Sequence, residues 1–389
     1  MSRFTAVLFL AFASMVSPAF SADPPASTTF TSDDIDPATG LARTTVVKPL
    51  TGAPPVPDPN RPAVRTVMRT PHIALLLPTA SPALGKLADA VRQGFTAAAA
   101  VAGRQAPTVI ATAIDNEGPA LLEACRQSQA AGALLVVGGL TRDGAQALAS
   151  SECAQQPVLT LNEADGDGNP NVFSISLSAE HEARQAALLA VEGGLRSAII
   201  IHTPSAISRR VREAFEREWV RAAGVVRRIP YNASPEEAPA IRERIASSRG
   251  DMVFLALDVN EAIAVRPYVS GTLPIYATSL SVNPRDDPIV NLELQGVRYV
   301  EMPWFLYPDH PAVMVYPQPR DLVNVEQVRL YALGIDTFRL ALLLVKGGEA
   351  SPTLDGVTGR ITLEPGNHFA RQLSGAEVDG GRVIPMRAQ

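Results

Sequence analysis

Apolar residues along this chain fall into two rhythms: short unbroken runs, and longer stretches where they return every three or four positions. The run Ile73–Leu77 in "HIALLLPT" ends at Pro78. Its length suits a strand covered on both faces, as parallel strands are. In the following "ASPALGKLADAVRQGF", Leu84, Leu87, Val91 and Phe95 recur at helical spacing. Ser81 offers an N-cap there and Pro82 sits at the first helical position. The reading is strand, polar loop, helix.

The alternation continues. "VIATAID" precedes a helix around Leu121 to Ala130, "ALLVVGGL" leads into "TRDGAQALASS", and "PVLTLN" follows. After a loop, Ser178 caps "AEHEARQAALLAVEGG", with Glu180 and Glu182 in its first turn, where the helix dipole favours them. "SAIIIH" precedes a helix that carries Phe215 and Trp219 and ends near Gly224. Ser234, Pro235 and Glu237 have the pattern of a capping box. "DMVFLAL" and "PIYAT" read as further strands. Such alternation predicts an α/β fold of βαβ units, with mainly parallel sheets and helices on both faces. Two groups of units, roughly 71–176 and 177–302, predict two similar lobes. The helix "VEQVRLYALGIDTFRLALLLVKGG" and a hairpin in "GRITLEPGNHFARQL", turning at Pro365, Gly366 and Asn367, then return to them.

Composition changes the picture mainly at the N-terminus. The chain has 389 residues, 46% hydrophobic and 19% charged, and a net charge of −5 that argues against a nucleic-acid partner. Arg3 followed by "FTAVLFLAFASMV" and "SPAFSA" has the layout of a signal peptide, 1–21, cut after Ser21 or Ala22. That implies export to the periplasm, and the absence of a cysteine near the cut excludes a lipid anchor there. Residues 22–70 are rich in proline and read as a disordered arm or tether, or as an irregular extension wrapped on the folded part. Cys125 and Cys153 are the only cysteines. They are expected on helices flanking one strand, where an oxidising compartment would bridge them; two free buried thiols are the alternative.

Catalytic signatures are absent from the sequence: no G-x-S-x-G elbow, no phosphate loop ending in Gly-Lys-Ser/Thr, no H-E-x-x-H. "GGLTRDG" (138–144) lacks dinucleotide spacing. "DGDGN" (165–169) opens like a calcium loop but continues to Pro170 and Ser176, so it reads as a turn. Two cysteines and scattered histidines make no zinc site. No catalytic residue, cofactor or metal is expected.

With "IALLLPTASPALGKLADAVRQGFTAA", "LSAEHEARQAAL", "PIYATS", "LQGVRYVEMPWFLYPDHP", "RLYALGIDTFRLA" and "LDGVTGRITL" in order through 71–364, the chain resembles the penicillin-binding protein activators of the LppC type. The resemblance implies a type I periplasmic-binding-protein-like module over 71–389, two Rossmann-like lobes joined by several crossovers. Lobe I would take about 71–176 and 303–350, lobe II about 177–302 and 351–389. It implies binding to, and stimulation of, a class A penicillin-binding protein during peptidoglycan synthesis. A lipid-bearing cysteine and a preceding helical-repeat domain, both part of the fuller family pattern, are not found here. The competing reading is a solute-binding protein with a small polar ligand between the lobes. Strand-end residues facing that cleft would be Thr79, Ser81, Thr141, Asn162, Thr203, Ser205, Asp258 and Ser279; the same positions suit ordinary helix caps. The loop "PWFLYPDHPAVMVYPQPRDLV" (303–323) is apolar and holds five prolines, which disfavours regular structure. It either covers its own lobe, with Trp304 inward, or presents Tyr307 and Tyr316 to a partner.

Overall fold

The computed structural model describes residues 69–164, 168–222, 224–234, 236–347 and 353–386. The chain divides into the units Met1–Arg65 and Thr66–Gln389, and the described residues belong to the second. The expected signal peptide, most of the arm, Pro235 and the first three residues of "DGDGN" lie outside them.

The first sheet is begun by β1 (His72–Leu77), β2 (Thr108–Ala113), β3 (Ala133–Gly138), β4 (Val158–Thr160) and β5 (Val172–Ile175). Helices α1 (Gly85–Ala102), α2 (Pro119–Ala130) and α3 (Arg142–Ala149) connect them. After a crossover at 176–178 the second lobe runs α4 (Ala179–Glu192), β6 (Ser197–His202), α5 (Ala206–Arg221), β7 (Val225–Pro230) and α6 (Ala240–Ser248). It continues with β8 (Met252–Ala256), α7 (Val259–Val265), β9 (Ile275–Ala277), α8 (Pro288–Asn291) and β10 (Val297–Glu301). The chain then returns through α9 (Pro303–Leu306), α10 (Pro311–Met314) and α11 (Val325–Val345) to β11 (Thr353–Asp355), β12 (Arg360–Glu364) and β13 (His368–Gln372). A third crossover leads to β14 (Ser374–Asp379) and β15 (Arg382–Pro385).

Strand order is β11-β12-β13-β5-β4-β3-β1-β2 in the first sheet and β15-β14-β10-β9-β8-β6-β7 in the second. The centres are parallel; antiparallel pairing is confined to β11–β12–β13 and to β10–β14–β15. The expected hairpin is present, with Glu364 opposite His368. Its address differs from expectation. Residues 353–372 extend the first sheet, because β13 pairs with β5 at His368↔Ser174 and Phe369↔Ile175, and only 374–385 join the second. The alternation of a hairpin fixes which face is buried but not which sheet edge receives it.

Other differences are local. The first helix starts at Gly85, three residues past the expected proline; residues 82–84 form turns instead, and Ser81 Oγ still accepts from the Leu84 N–H at 3.4 Å. The helix expected at Ser234 starts at Ala240, and Glu237 instead accepts hydrogen bonds from Asn232. β5, β7, β11, β14 and β15 are not among the strands expected from the sequence; β7 is an edge strand whose exposed arginines hide its apolar content. The proline-rich loop contains two single-turn helices, each with proline at its first position, where a missing N–H costs nothing.

Each sheet has apolar cores on both faces. In the first lobe α1 and α11 cover one face, with Phe95 and Phe338 edge to face at 5.2 Å. The other face holds Leu121, Leu148 and the Cys125–Cys153 disulfide, whose Cα atoms are 6.3 Å apart. The bridge closes 28 residues, worth about 3–4 kcal/mol in the chain-entropy model.

Candidate functional site

Thr141, Ser205 and Asp258 cap the helices that follow them, and other strand-end residues bond elsewhere in their loops or across to another helix. Thr141 Oγ1 accepts from the Gly144 N–H at 3.0 Å, and Ser205 Oγ from the Ser208 N–H at 3.2 Å. Asp258 and Glu261 form a capping box, 2.9 Å in each direction. Thr203 Oγ1 donates to Ser205 Oγ, and Asn162 Nδ2 to the Leu140 carbonyl at 3.1 Å. The Thr79 N–H turns back to Leu77 O at 2.7 Å. The Ser279 N–H donates to Glu182 Oε2 at 2.9 Å. The N-terminus of α3, a ready anion site by its free N–H groups, is filled by the chain's own Glu117, which accepts from Leu140 N and Thr141 N at 2.6 and 2.7 Å.

Behind these caps the three crossovers meet in a buried set of charges. Glu301, the last residue of β10, takes a two-pronged hydrogen bond from Arg329 on α11, 2.8 Å on each prong. It also accepts from the Met302 N–H at the second crossover. Burial works against the Arg329 charge, but the Glu301 and Glu182 carboxylates outweigh it and raise its pKa. The Phe305 ring lies 5.2 Å from its guanidinium carbon. Arg371, 4% exposed, donates from Nε to Ser176 O at the first crossover and from Nη1 to Thr358 O, at 2.8 and 3.0 Å. Asp336, fully buried in the middle of α11, accepts from Val357 N, Thr358 N and Thr358 Oγ1 and pairs with Arg339 at 3.2 Å. Burial pushes the carboxyls of Glu182 and Asp336 upward against these partners. Gln185 of α4 bonds to the backbone edge of β13, from Nε2 to Arg371 O and from Leu373 N to Oε1, at the third crossover.

A second tie lies nearer the surface. Glu180 at the start of α4 accepts from Arg142 of the first lobe and Arg210 of the second, both at 3.0 Å. Two cavities flank the third crossover. One, of ≈ 340 Å³, is lined by His181, Gln185, Glu192, Thr362 and Arg371 among others. The other, of ≈ 370 Å³, is lined by Tyr307, His310, Asp355, Arg360 and Ser374 among others. Among the described residues no three His, Cys, Asp or Glu side chains are grouped to hold a metal ion.

The arrangement braces two lobes against each other. Glu182 reads from the sequence only as a first-turn acid of its helix, and Glu301, Arg329, Asp336 and Arg371 are not singled out there. The available signal was a charge inside an otherwise apolar element, as in "ALGIDTFRLALL" and "GVRYVEM", since such charges are rarely buried unless partnered. Of the two tyrosines offered as partner contacts, Tyr316 is buried in the first lobe's core, packed with residues of α1 and α11, as a covering role for the loop requires. Tyr307 is half-buried at the rim of the second cavity, and Trp304 packs inward as expected.

Comparison with known proteins agrees with this architecture. Residues 65–381 match the family model described as "LppC putative lipoprotein". The "Penicillin-binding protein activator LpoA" of Yersinia pseudotuberculosis is 25% identical over 409 residues, covering 82% of this chain and 61% of that protein. Its namesake in Pantoea ananatis is 24% identical over 363 residues, covering 80% and 53%. The chain thus spans less than two thirds of the length of these relatives. Among solved structures, "a putative branched-chain amino acid ABC transporter" from Chromobacterium violaceum superposes with TM-score 0.67 at 35% identity, covering 79% of this chain and 99% of that one. The C-domain of Haemophilus influenzae LpoA, titled a regulator of PBP1A, superposes with TM-score 0.67 at 21% identity, covering 81% and 100%. The two lobes and their crossovers are therefore those of a type I periplasmic-binding-protein-like fold, and the chain belongs to the LppC family.

Proposed function

We propose that this protein is a non-enzymatic periplasmic regulator of peptidoglycan synthesis that binds a class A penicillin-binding protein through its outer surface. The observation that carries this reading is the state of the cleft. Thr141, Ser205 and Asp258 at the strand ends are engaged as caps, and the buried Glu301–Arg329 pair, with hydrogen bonds from Arg371 and Gln185, ties the three crossovers. A module so braced offers a fixed surface more readily than a closing trap. The names of the LpoA relatives supply the partner class. Export with cleavage after Ser21 or Ala22 belongs to the same proposal, and Tyr307 is its remaining contact candidate. The test is co-purification of the full chain with a class A penicillin-binding protein, with glycan polymerisation measured beside it. Binding with a raised polymerisation rate is expected; no binding at high micromolar concentration sinks the reading.

A solute-binding role is the second reading, favoured by the 35% identical Chromobacterium structure, described as "a putative branched-chain amino acid ABC transporter". Branched-chain amino acids should then raise the melting temperature, and the rise should disappear in Asp258→Ala.

A further inference from the structure

Among the described residues the two sheets end in four edge strands, and three carry the usual guards against pairing with another chain. β7 has Arg227, Arg228 and Pro230; β15 has Arg382 and Pro385; β11 is three residues long and ends in Asp355. The fourth, β2, has none. Its six residues, "TVIATA", contain no charge and no proline, and Thr108, Ile110, Ala111 and Ala113 are exposed, Ile110 by 44%. The backbone is turned outward as well. Just past the strand, the Ile114 N–H donates to Leu77 O and the Ile114 carbonyl accepts from Ala80 N. Counting back by the alternation of a strand, Val109, Ala111 and Ala113 turn their N–H and C=O groups to the free edge.

We propose that β2 is a self-association edge, through which two copies of this chain pair antiparallel about a two-fold axis at Ala111. Two-fold symmetry lets one residue face its own copy, and Ala111 is the middle of the three outward-turned residues. Centring on Ala111 then sets Val109 opposite Ala113 and Ile110 opposite Thr112, all neutral pairs of small or β-branched residues. Charge at the strand's ends selects this orientation. Exposed Arg104 lies before β2 and exposed Asp115 after it, so antiparallel copies bring each basic end beside the other's acidic end. A parallel arrangement would set like charges together. The contact of one short strand is smaller than the roughly 1,200–2,000 Å² of a stable interface, so the dimer is weak and appears only as concentration rises.

Sedimentation of the full chain from low micromolar to several hundred micromolar tests this. The weight-average mass should climb toward that of a dimer. Ala111→Lys places two ammonium groups opposite each other and should weaken association by about tenfold or more. Ala111→Pro removes an N–H that faces the partner and leaves the β1 ladder intact, so it too should abolish the dimer while the melting temperature holds. Thr353→Lys, on the opposite edge of the same sheet, should change nothing. Hydrogen exchange of the unmodified chain gives a readout independent of any variant: protection at Val109, Ala111 and Ala113 should grow with concentration. A monomer at every concentration, a dimer unaffected by Ala111→Lys, or protection of β2 that appears only when a different protein is added would each overturn the proposal.

Discussion

Glu301 and Arg329 show how much a single buried pair can hold. Both are nearly inaccessible, and the planar guanidinium matches the carboxylate on two prongs. Removing one partner leaves the other charged and without compensation, which costs about 3–5 kcal/mol. Glu301→Gln should therefore lose that much in urea denaturation. The double variant Glu301→Gln with Arg329→Met should recover part of it, because the unpaired guanidinium is gone, and only part, because Glu182 then loses the Arg329 charge. His181 acts in the opposite sense. Burial, then Arg184, Arg371 and His368, push its pKa down to about 4, while the unfolded chain keeps a value near 6.5. Between those values the unfolded chain binds the extra proton. Stability from this group is thus full above about pH 6.5 and declines as pH falls toward about 4, by at most about 3 kcal/mol. His181→Gln should flatten the fall of melting temperature across that window. His202 and His368, also held low by burial, should keep some of it.

At the level of elements, the first lobe depends on how closely α1 approaches α11. A Cβ built on Gly94 would overlap the Tyr331 carbonyl oxygen, and one on Gly334 would overlap that of Val91. The two glycines let the backbones meet, as small residues do where helices cross tightly. Alanine normally favours a helix over glycine by about 1 kcal/mol. Here the sign should reverse: Gly94→Ala or Gly334→Ala should destabilise by about 1–3 kcal/mol through overpacking, measured by chemical denaturation. Helical periodicity marks α11 clearly in the sequence, but nothing in that periodicity says which helix it will touch.

Over the whole molecule, the relation between lobes rests on two kinds of tie with different weight. Arg142 is about half exposed, at 49% of its side chain, so its pair with Glu180 contributes about 0.2–1 kcal/mol. The inner set at the crossovers is desolvated and carries the geometry. Arg142→Ala should leave the radius of gyration from small-angle scattering unchanged. An increase in the variant would show that the outer tie sets the angle between the lobes.

The sequence by itself determined the α/β class, the division into two lobes, most strands of both sheets and the helix cap at Ser178. These depend on local rules: run length, helical spacing, and a hydroxyl within reach of its own backbone. Thr141, Ser205 and Asp258 stood open between cleft and cap until the structure showed them as caps. The Cys125–Cys153 pairing was open between two states, and the disulfide settles it. Only the tertiary structure decided that residues 353–372 extend the first sheet, that Tyr316 turns inward, and that Glu182, Glu301, Arg329, Asp336 and Arg371 converge from distant segments. The physical reason is common to all three. Hydrophobic pattern fixes which face of an element is buried, whereas the neighbour it is buried against depends on long-range packing, and a charge reads as surface until its partner arrives from elsewhere in the chain.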